Sequence, residues 1–362
     1  MILGEPVRGG YGYFEQPGLF SLPGLDQIRT WQKRVLPPPP IHHLSGLIVT
    51  EADVGRATFV MPASPWWQSG AGPFLGGTFG FVADAPLGMA VSTAIPGRLM
   101  LATSELSMNF LRPATPASTT LIARATLIQA GRSQGLSEAQ VEDASGRLLA
   151  HATSRLVVRP LQFDPPPPPG ELPPFEPPPQ PTPDPYLRPP EGFVVPQEVW
   201  NETPGLEVVQ GWIKGELAMP PVAHLTGWRG MEVEEGRAVW AMPASEWFGT
   251  SWRTFYGGAL VLLVDSAINA AFTTTLPPAT SYGTLDLKIN FLRPVDLDGR
   301  DLVVRAAVVH RGRTIAVATA DVENADGKRV AIATGSSMYL PGRPWAAAPG
   351  PIDELRAPAE AG

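Results

Sequence analysis

Hydrophobic and polar positions along the chain change between a helical period and a strand-like alternation. Apolar residues recur at helical spacing over 25–36, before the prolines of 37–40. A more apolar helix is predicted from Gly76 to about Thr93, ahead of a turn near residues 96–97. Strand-like segments, separated by proline or glycine, cover residues 57–61, 100–111, 121–130, 136–143 and 148–158. One long helix followed by a run of strands predicts an α+β fold.

The whole pattern occurs twice without a gap. His43 corresponds to His224 and Arg112 to Arg293, and the separation is the same at every matched motif. Roughly a third of positions 23–158 are identical to their counterparts, which indicates a duplicated domain. The repeated motifs include His43-Leu44-x-Gly46, Gly55-Arg56-Ala57, Met61-Pro62-Ala63-Ser64 and Asn109-Phe110-Leu111-Arg112-Pro113.

Each predicted central helix begins with two glycines and carries one acid. In the first copy Gly76 and Gly77 open the helix, and Asp84 follows seven residues after Gly77. The counterparts in the second copy are Gly257, Gly258 and Asp265. Uncovered N–H groups at a glycine helix start favour negative charge, and an acid on an apolar helix needs a partner or a function. A purely packing role for the glycines is the alternative.

Helix geometry restricts how these groups act together. Asp84 lies eight residues beyond Gly76, which is about 12 Å along a helix axis. An acid and an oxyanion-binding N–H that serve one carbonyl must both lie within about 3 Å of the reacting atoms. A helix therefore cannot combine its own glycines with its own acid. Two antiparallel copies side by side would bring each acid to the glycines of the other helix.

Composition narrows the function classes. A chain of 362 residues with net charge −7 and pI near 5.3 argues against a nucleic-acid-binding surface. The absence of cysteine removes thiol nucleophiles and disulfides and fits a reducing compartment. The five histidines show no repeated metal-ligand spacing, so no metal is expected. The N-terminus lacks a signal-peptide pattern and no apolar run reaches transmembrane length, so the protein is predicted to be cytoplasmic and without a membrane partner.

The repeat and the proline content divide the chain. Residues 1–22 are predicted to be an irregular arm, 23–159 the first domain, 160–200 a proline-rich linker, 201–341 the second domain and 342–362 a tail. About half of the linker core is proline, which predicts an extended, polyproline-like strap. A passive linker is the first interpretation, and a motif for proline-binding domains is the second.

The combined motifs resemble the PaaI-type acyl-CoA thioesterases of the hotdog fold. The similarity covers 23–158 and 204–339, through His-Leu-x-Gly, Met-Pro-Ala, the Gly-Gly helix with its acid and Asn-Phe-Leu-Arg-Pro. The resemblance implies a tandem hotdog, in which two units join their sheets and lay their central helices antiparallel as an internal pseudo-dimer. It also implies an acyl-CoA or related acyl-thioester substrate, coenzyme A only as part of that substrate and no other cofactor. A homodimer of the double unit is left open.

The resemblance also implies site residues. Asp84 and Asp265 would act as base for water or as nucleophile. Gly76, Gly77, Gly257 and Gly258 would bind the oxyanion, and Thr103 and Thr284 would position the acid or the water. The chain departs from the family at Leu75 and Tyr256, where histidine is usual, and at Ser69 and Thr250, where asparagine is frequent.

Three readings of function follow. The first is acyl-thioester hydrolysis, with a hydrophobic acyl group. The second, favoured by the departures, is a non-catalytic acyl-thioester-binding protein. A hotdog dehydratase is third, because no histidine is paired with the acid. Arg313, flanked by His310 and Arg311, is a candidate for coenzyme A phosphates. The Gly131-Arg132-Ser133-Gln134-Gly135 match to the serine-hydrolase pattern has strand-like sequence on both sides and is interpreted as accidental.

The two copies differ in ways that predict unequal sites. Tyr256 keeps a hydroxyl able to hydrogen-bond where Leu75 offers none. Pro86 removes a helix hydrogen bond two residues after Asp84 and predicts a kink. The better composite site is therefore predicted to combine Tyr256, Gly257 and Gly258 with Asp84 and Thr103.

Overall fold

The computed structural model describes residues 2–345, so the tail predicted from residue 342 lies outside the described residues beyond position 345. Over this range the helices are α1 Gly24–Gln32, α2 Pro40–Ser45, α3 Gly76–Ser92, α4 Gln197–Glu202, α5 Gly205–Lys214, α6 Pro221–Thr226 and α7 Gly257–Thr273. The strands are β1 Ile48–Asp53, β2 Arg56–Pro62, β3 Leu99–Phe110, β4 Thr120–Ala130, β5 Gln134–Asp143, β6 Leu148–Pro160, β7 Arg229–Glu234, β8 Arg237–Pro243, β9 Thr280–Phe291, β10 Asp301–Arg311, β11 Ile315–Glu323 and β12 Arg329–Pro341.

All these strands form one antiparallel sheet in the order β1-β2-β4-β5-β6-β3-β9-β12-β11-β10-β8-β7. The two copies join where β3 pairs with β9. Ser107 lies opposite Lys288, its own counterpart in the repeat, and Glu105 lies opposite Asn290. The register therefore places a pseudo-twofold axis between Ser107 and Lys288. The predicted tandem hotdog, with sheets joined edge to edge around the helices, is confirmed.

The central helices α3 and α7 pack against each other and against the sheet. Both helices carry apolar and buried residues on almost every face, as expected for helices that are covered on all sides. A β-carbon on Gly77 would lie 2.7 Å from the Cα of Leu262, and one on Gly258 would lie 2.8 Å from the Cα of Phe81. The second glycine of each pair is therefore required by the close approach of the helices.

The first helix of the fold is shorter than the sequence pattern predicts. The apolar spacing suggested a helix over 25–36, but α1 ends at Gln32. Arg34 adopts a left-handed conformation with φ of 54°, which ends the helical path before the prolines. Periodicity alone overestimated the length because apolar residues continue beyond the last helical turn.

The N-terminal arm and the proline-rich strap pack together on the fold. The arm crosses to the second copy, where the indole N–H of Trp247 donates to the carbonyl of Glu5 at 3.2 Å. The guanidinium of Arg188 in the strap donates to both carboxylate oxygens of Glu5 at 2.6 and 2.8 Å. The carbonyl of Arg188 accepts from the indole of Trp66 at 2.9 Å. The strap therefore connects the arm to the first copy through paired polar contacts.

No helix among residues 2–345 is long and apolar enough to cross a membrane.

Candidate functional site

The two central helices exchange their acids across the pseudo-twofold axis. The N–H of Gly258 donates to Oδ2 of Asp84 at 3.0 Å, and the N–H of Gly77 donates to Oδ2 of Asp265 at 2.8 Å. Each carboxylate thus lies at the N-terminus of the opposite helix, where the helix dipole favours negative charge. This arrangement is the one that the rise per residue required.

The first glycine of each pair has a different environment from the second. Among the described residues, the N–H groups of Gly76 and Gly257 donate to no protein acceptor. Each is the first residue of its helix, at the positive end of the dipole. A β-carbon on Gly257 would lie 2.8 Å from Oδ2 of Asp84, so the backbone of Gly257 approaches the acid closely. An acid beside an unpaired helix N–H is suited to attack on a carbonyl whose oxygen becomes negative.

Asp84 has one partner from each copy. Oδ1 accepts from the hydroxyl of Thr103 at 3.4 Å, while Oδ2 accepts from Gly258. Burial raises the pKa of Asp84 to about 6, although the hydrogen bonds from Gly258 and Thr103 lower it. The residue keeps 8% of its surface exposed. Asp84 is thus a buried acid with a pKa near neutrality.

Asp265 has a different setting. It is 0% exposed, and its Oδ1 has no hydrogen-bond partner. Thr284 donates to Oδ1 of Asn269 at 3.1 Å rather than to the acid, and the amide of Asn269 donates to the backbone carbonyl of Asp265 at 2.7 Å. Burial raises the pKa of Asp265 to about 6, against the bond from Gly77. The position of Asn269 holds Gly88 in the first copy, so this amide belongs to one site only.

The hydroxyl of Tyr256 is bound to the backbone of α3. It donates to the carbonyl of Phe81 at 2.5 Å and accepts from the N–H of Ala85 at 3.1 Å. Tyr256 is 4% exposed, and its ring packs edge-on against the ring of Phe81 with centroids 5.1 Å apart. The hydroxyl proton therefore points to helix α3, next to Asp84, and Leu75 has no equivalent contact.

A cavity of about 470 Å³ adjoins the site that contains Gly76. Polar groups of α7 and β9 belong to its lining, including Asn269, Thr273 and Thr284. Much of the remaining lining is aromatic and includes Phe79, Phe110, Trp200, Trp212, Trp228, Trp240 and Trp345. The positions of Leu75 and Ser69, where the chain departs from the family, also line this cavity. The cavity is therefore largely apolar and carries a few polar groups from α7 and β9.

The corresponding region of the other composite site, which contains Asp84 and Gly257, holds side chains of the arm. Trp252, which stands where the cavity has Ala71, packs on Phe20 with ring centroids 4.6 Å apart. Tyr13 packs on Trp31 at 5.4 Å and on Trp252 at 6.4 Å. The strap contributes Leu161 and Leu172 to the same apolar cluster. The cavity therefore adjoins the composite site of Asp265 and Gly76, whereas the arm packs beside the composite site of Asp84 and Gly257.

The remaining predicted residues lie elsewhere. Arg313 is exposed in the turn between β10 and β11 and does not line the cavity. The serine-hydrolase-like pattern at 131–135 lies in the turn between β4 and β5, where the N–H of Gly131 donates to the carbonyl of Gln134. That position is a hairpin and not the strand-to-helix turn that a nucleophilic serine needs. Among residues 2–345, no group of three or more His, Asp or Glu side chains could hold a metal ion.

Sequence reasoning missed Asn269 and the tryptophans of the cavity. A signal for Asn269 was present, because it is a polar residue four positions after Asp265 on an apolar helix and so falls on the same helical face. The tryptophans are spread over 200–345, and no local spacing connects them.

Comparisons with known proteins match each copy separately. A model described as the acyl-CoA thioesterase C-terminal domain matches residues 51–158, and one described as the thioesterase superfamily matches residues 253–331. A Saccharolobus solfataricus protein provisionally named an esterase is 32% identical over 110 residues, which is 30% of this chain and 76% of that protein. Human acyl-coenzyme A thioesterase 13 is 31% identical over 97 residues, covering 26% of this chain and 68% of that protein.

A solved structure supports the same fold over most of the chain. A protein of unknown function with a hot dog fold from Alicyclobacillus acidocaldarius aligns with a TM-score of 0.50 and 16% identity, covering 81% of this chain and 96% of that one. At this identity the likeness shows the fold alone. Together with the two family matches and the relatives above 30% identity, it confirms the resemblance drawn from the motifs. The chain belongs to the thioesterase superfamily.

Proposed function

We propose that this protein hydrolyses acyl thioesters, with acyl-CoA as the substrate class, at a composite site between its two copies. The observation that carries the proposal is the position of Asp84, which accepts from Gly258 and lies against Gly257, whose N–H is unpaired, at the start of the opposite helix. Membership of the thioesterase superfamily and the substrate named for the human relative support the choice of thioester.

The proposed chemistry uses the acid as a base. Ionised Asp84 takes a proton from a water molecule, whose oxygen attacks the thioester carbonyl carbon. The N–H of Gly257 binds the oxyanion that forms, with the helix dipole behind it. When the carbon–sulfur bond breaks, the departing thiolate receives the proton that Asp84 holds. Thr103 keeps the carboxylate oriented through Oδ1. Direct attack by Asp84 on the carbonyl, followed by hydrolysis of the anhydride, is the other route open to this acid.

Asp84 is a better candidate for the base than Asp265. A base for water must be reached by water, and Asp265 is 0% exposed whereas Asp84 keeps 8%. The threonine of the Asp84 site contacts the acid, but Thr284 contacts Asn269. We therefore propose Asp84, Thr103, Gly257 and Gly258 as the hydrolytic set.

The test is thiol release from a panel of acyl-CoA substrates by the full-length chain. Asp84→Asn should lower kcat at least about a hundredfold, because loss of a general base typically costs that much. Asp265→Asn is the matched variant at the mirror position and should retain turnover. If Asp265→Asn abolishes turnover while Asp84→Asn leaves it intact, the assignment is reversed. Residual activity in both variants, with loss only in the double variant, means that both sites work.

A non-catalytic acyl-thioester-binding protein is the second candidate. The side chains before the glycines favour it, because Leu75 is apolar and the hydroxyl of Tyr256 donates to Phe81 rather than to a substrate carbonyl. Each oxyanion would then have the free backbone N–H of one glycine and no side-chain donor from this position. Saturable binding of acyl-CoA by calorimetry, with no thiol release from any substrate, identifies this function.

A further inference from the structure

We infer that Tyr256 is a positioning residue that fixes Asp84 relative to the oxyanion-binding N–H of Gly257. This inference rests on the proposed hydrolysis, and it assigns the tyrosine a role through the acid and not on the substrate. Tyr256 immediately precedes Gly257 in the chain, and its hydroxyl bonds to Ala85, which immediately follows Asp84. One side chain therefore joins the backbone beside the oxyanion donor to the backbone beside the acid.

The position of the hydroxyl within α3 explains why this link matters. In a regular helix the N–H of Ala85 would bond to the carbonyl of Phe81, and these are the two groups that the hydroxyl bridges. The next residue, Pro86, has no N–H for the carbonyl of Val82, and its ring crowds that carbonyl. The turn that carries Asp84 thus lacks the helix hydrogen bond to Val82. The preceding pair, Ala85 and Phe81, is bridged by the hydroxyl of a residue from the other copy.

The mirror site lacks both features together. The counterpart of Pro86 is Ala267, which has an N–H, and the counterpart of Tyr256 is Leu75, which has no hydroxyl. Helix α7 is therefore able to keep its regular backbone hydrogen bonds around Asp265. The proline and the tyrosine occur on different copies of the repeat but meet in one composite site. This coincidence is expected if the tyrosine compensates for the opened turn and holds the acid in place.

The environment of Tyr256 makes the link rigid. The residue is 4% exposed, and the ring of Phe81 packs edge-on against it. Its ring also lies against Gly258, where a β-carbon would come within 2.7 Å of Cε1. Gly258 is the residue whose N–H donates to Asp84. The hydroxyl of Tyr256 consequently contacts the residue next to the acid, and its ring contacts the glycine that donates to the acid.

The substitution Tyr256→Phe tests the link because it removes only the hydroxyl. The kcat should fall about ten- to hundredfold, since a displacement of about 1 Å in a catalytic group can cost a factor of a hundred. The KM should stay within about threefold, because the hydroxyl of Tyr256 bonds to backbone groups of α3 and not to the substrate. In an Asp84→Asn background the same substitution should cause no further loss of kcat, since both changes act through one group. Tyr339→Phe is the matched control. It removes a buried hydroxyl that bonds to Thr275 and should leave kcat unchanged.

A second measurement does not depend on turnover. Carbon-13 NMR titration of labelled aspartate carboxyls, assigned with Asp84→Asn and Asp265→Asn, follows each acid separately. The bond from Gly258 lowers the pKa of Asp84, so displacement of the acid in Tyr256→Phe should raise that pKa above about 6. The pKa of Asp265 should not change. If Tyr256→Phe does not fold, Tyr256→Leu carries the residue of the mirror site and is titrated in its place.

The outcomes separate the inference from the proposed function. If the wild-type chain releases no thiol from any substrate, the proposed function fails, and the titration alone decides whether Tyr256 positions Asp84. If the wild-type chain is active and Tyr256→Phe keeps both its kcat and the pKa of Asp84, the inference is overturned and the function stands. A lower kcat with an unchanged pKa, or a further loss of kcat in the Asp84→Asn background, also overturns it.

Discussion

Replacing Asp265 with asparagine should stabilise the protein at neutral pH but much less in acid. The pKa of Asp265 is about 6 in the fold, against an ordinary value of 3.8, because burial penalises the ionised carboxylate. One pKa unit corresponds to about 1.4 kcal/mol, so ionising this group in the fold costs about 3 kcal/mol of the free energy of unfolding. The acid is 0% exposed, and its Oδ1 has no partner, which is consistent with a penalty of this size.

The sign of the pH dependence follows from the direction of the shift. A carboxyl with a raised pKa in the fold contributes full stability below pH 3.8, and this contribution is lost as the pH rises through about 6. Asparagine never ionises and does not pay this penalty. The difference in unfolding free energy between Asp265→Asn and the wild type should therefore grow by about 2.4 kcal/mol between pH 4 and pH 8.

Urea denaturation at pH 4, 6 and 8 measures this difference, and subtraction across pH removes any constant cost of the new amide. Asp143→Asn is a control of opposite sign. Burial raises the pKa of Asp143, but hydrogen bonds from Ser145 and Arg147 outweigh it and leave the pKa below its ordinary value. This variant should lose stability at pH 8. If the effect of Asp265→Asn is the same at pH 4 and pH 8, the assignment of a penalised, ionised acid at this position is wrong.

Three further predictions concern rate, packing and the strap. Because burial raises the pKa of Asp84 to about 6 and the base must be ionised, kcat/KM for thiol release should fall tenfold per pH unit below about pH 6, and a flat profile would exclude this base. Gly77→Ala should lower the unfolding free energy by about 1–3 kcal/mol in thermal or urea unfolding, whereas Gly88→Ala, with its nearest neighbour 3.7 Å away, should raise it by about 0.5–1 kcal/mol. Arg188→Ala removes both hydrogen bonds to the carboxylate of Glu5, so limited proteolysis should cut the strap faster than in the wild type. An unchanged cleavage rate would show that the Arg188–Glu5 pair does not hold the strap in place.

The pairing of acids with glycines was predictable because it depends only on chain geometry. The rise of the helix separates Asp84 from Gly76 by about 12 Å, and the repeat supplied a second helix with the same spacing. The structure has the pairing across the helices that this arithmetic required. The duplicated fold was predictable for a similar reason, since a gapless repeat fixes which residues are counterparts.

The direction of individual side chains was not predictable in the same way. Tyr256 was predicted only to keep a hydroxyl able to hydrogen-bond, and the structure directs that hydroxyl to the carbonyl of Phe81. The hydroxyl reaches these backbone groups only because α3 and α7 pack against each other. The aromatic cavity was missed because its tryptophans are distant in sequence. Trp200 in α4 and Trp345, which follows β12, meet only in the folded chain, with ring centroids 5.3 Å apart. Such contacts depend on tertiary packing rather than on local pattern.

The register at the centre of the sheet has a consequence for how copies choose their partners. In a dimer of identical chains, the residue on the twofold axis faces itself. Two second copies would place Lys288 against Lys288 on directly opposed strands, where like charges repel. In the tandem chain Lys288 faces Ser107 instead, and its ammonium lies 3.7 Å from the carboxylate of Glu105. Fusion has therefore released the axial position from self-complementarity, and the seam now discriminates against symmetric assembly of the second copy.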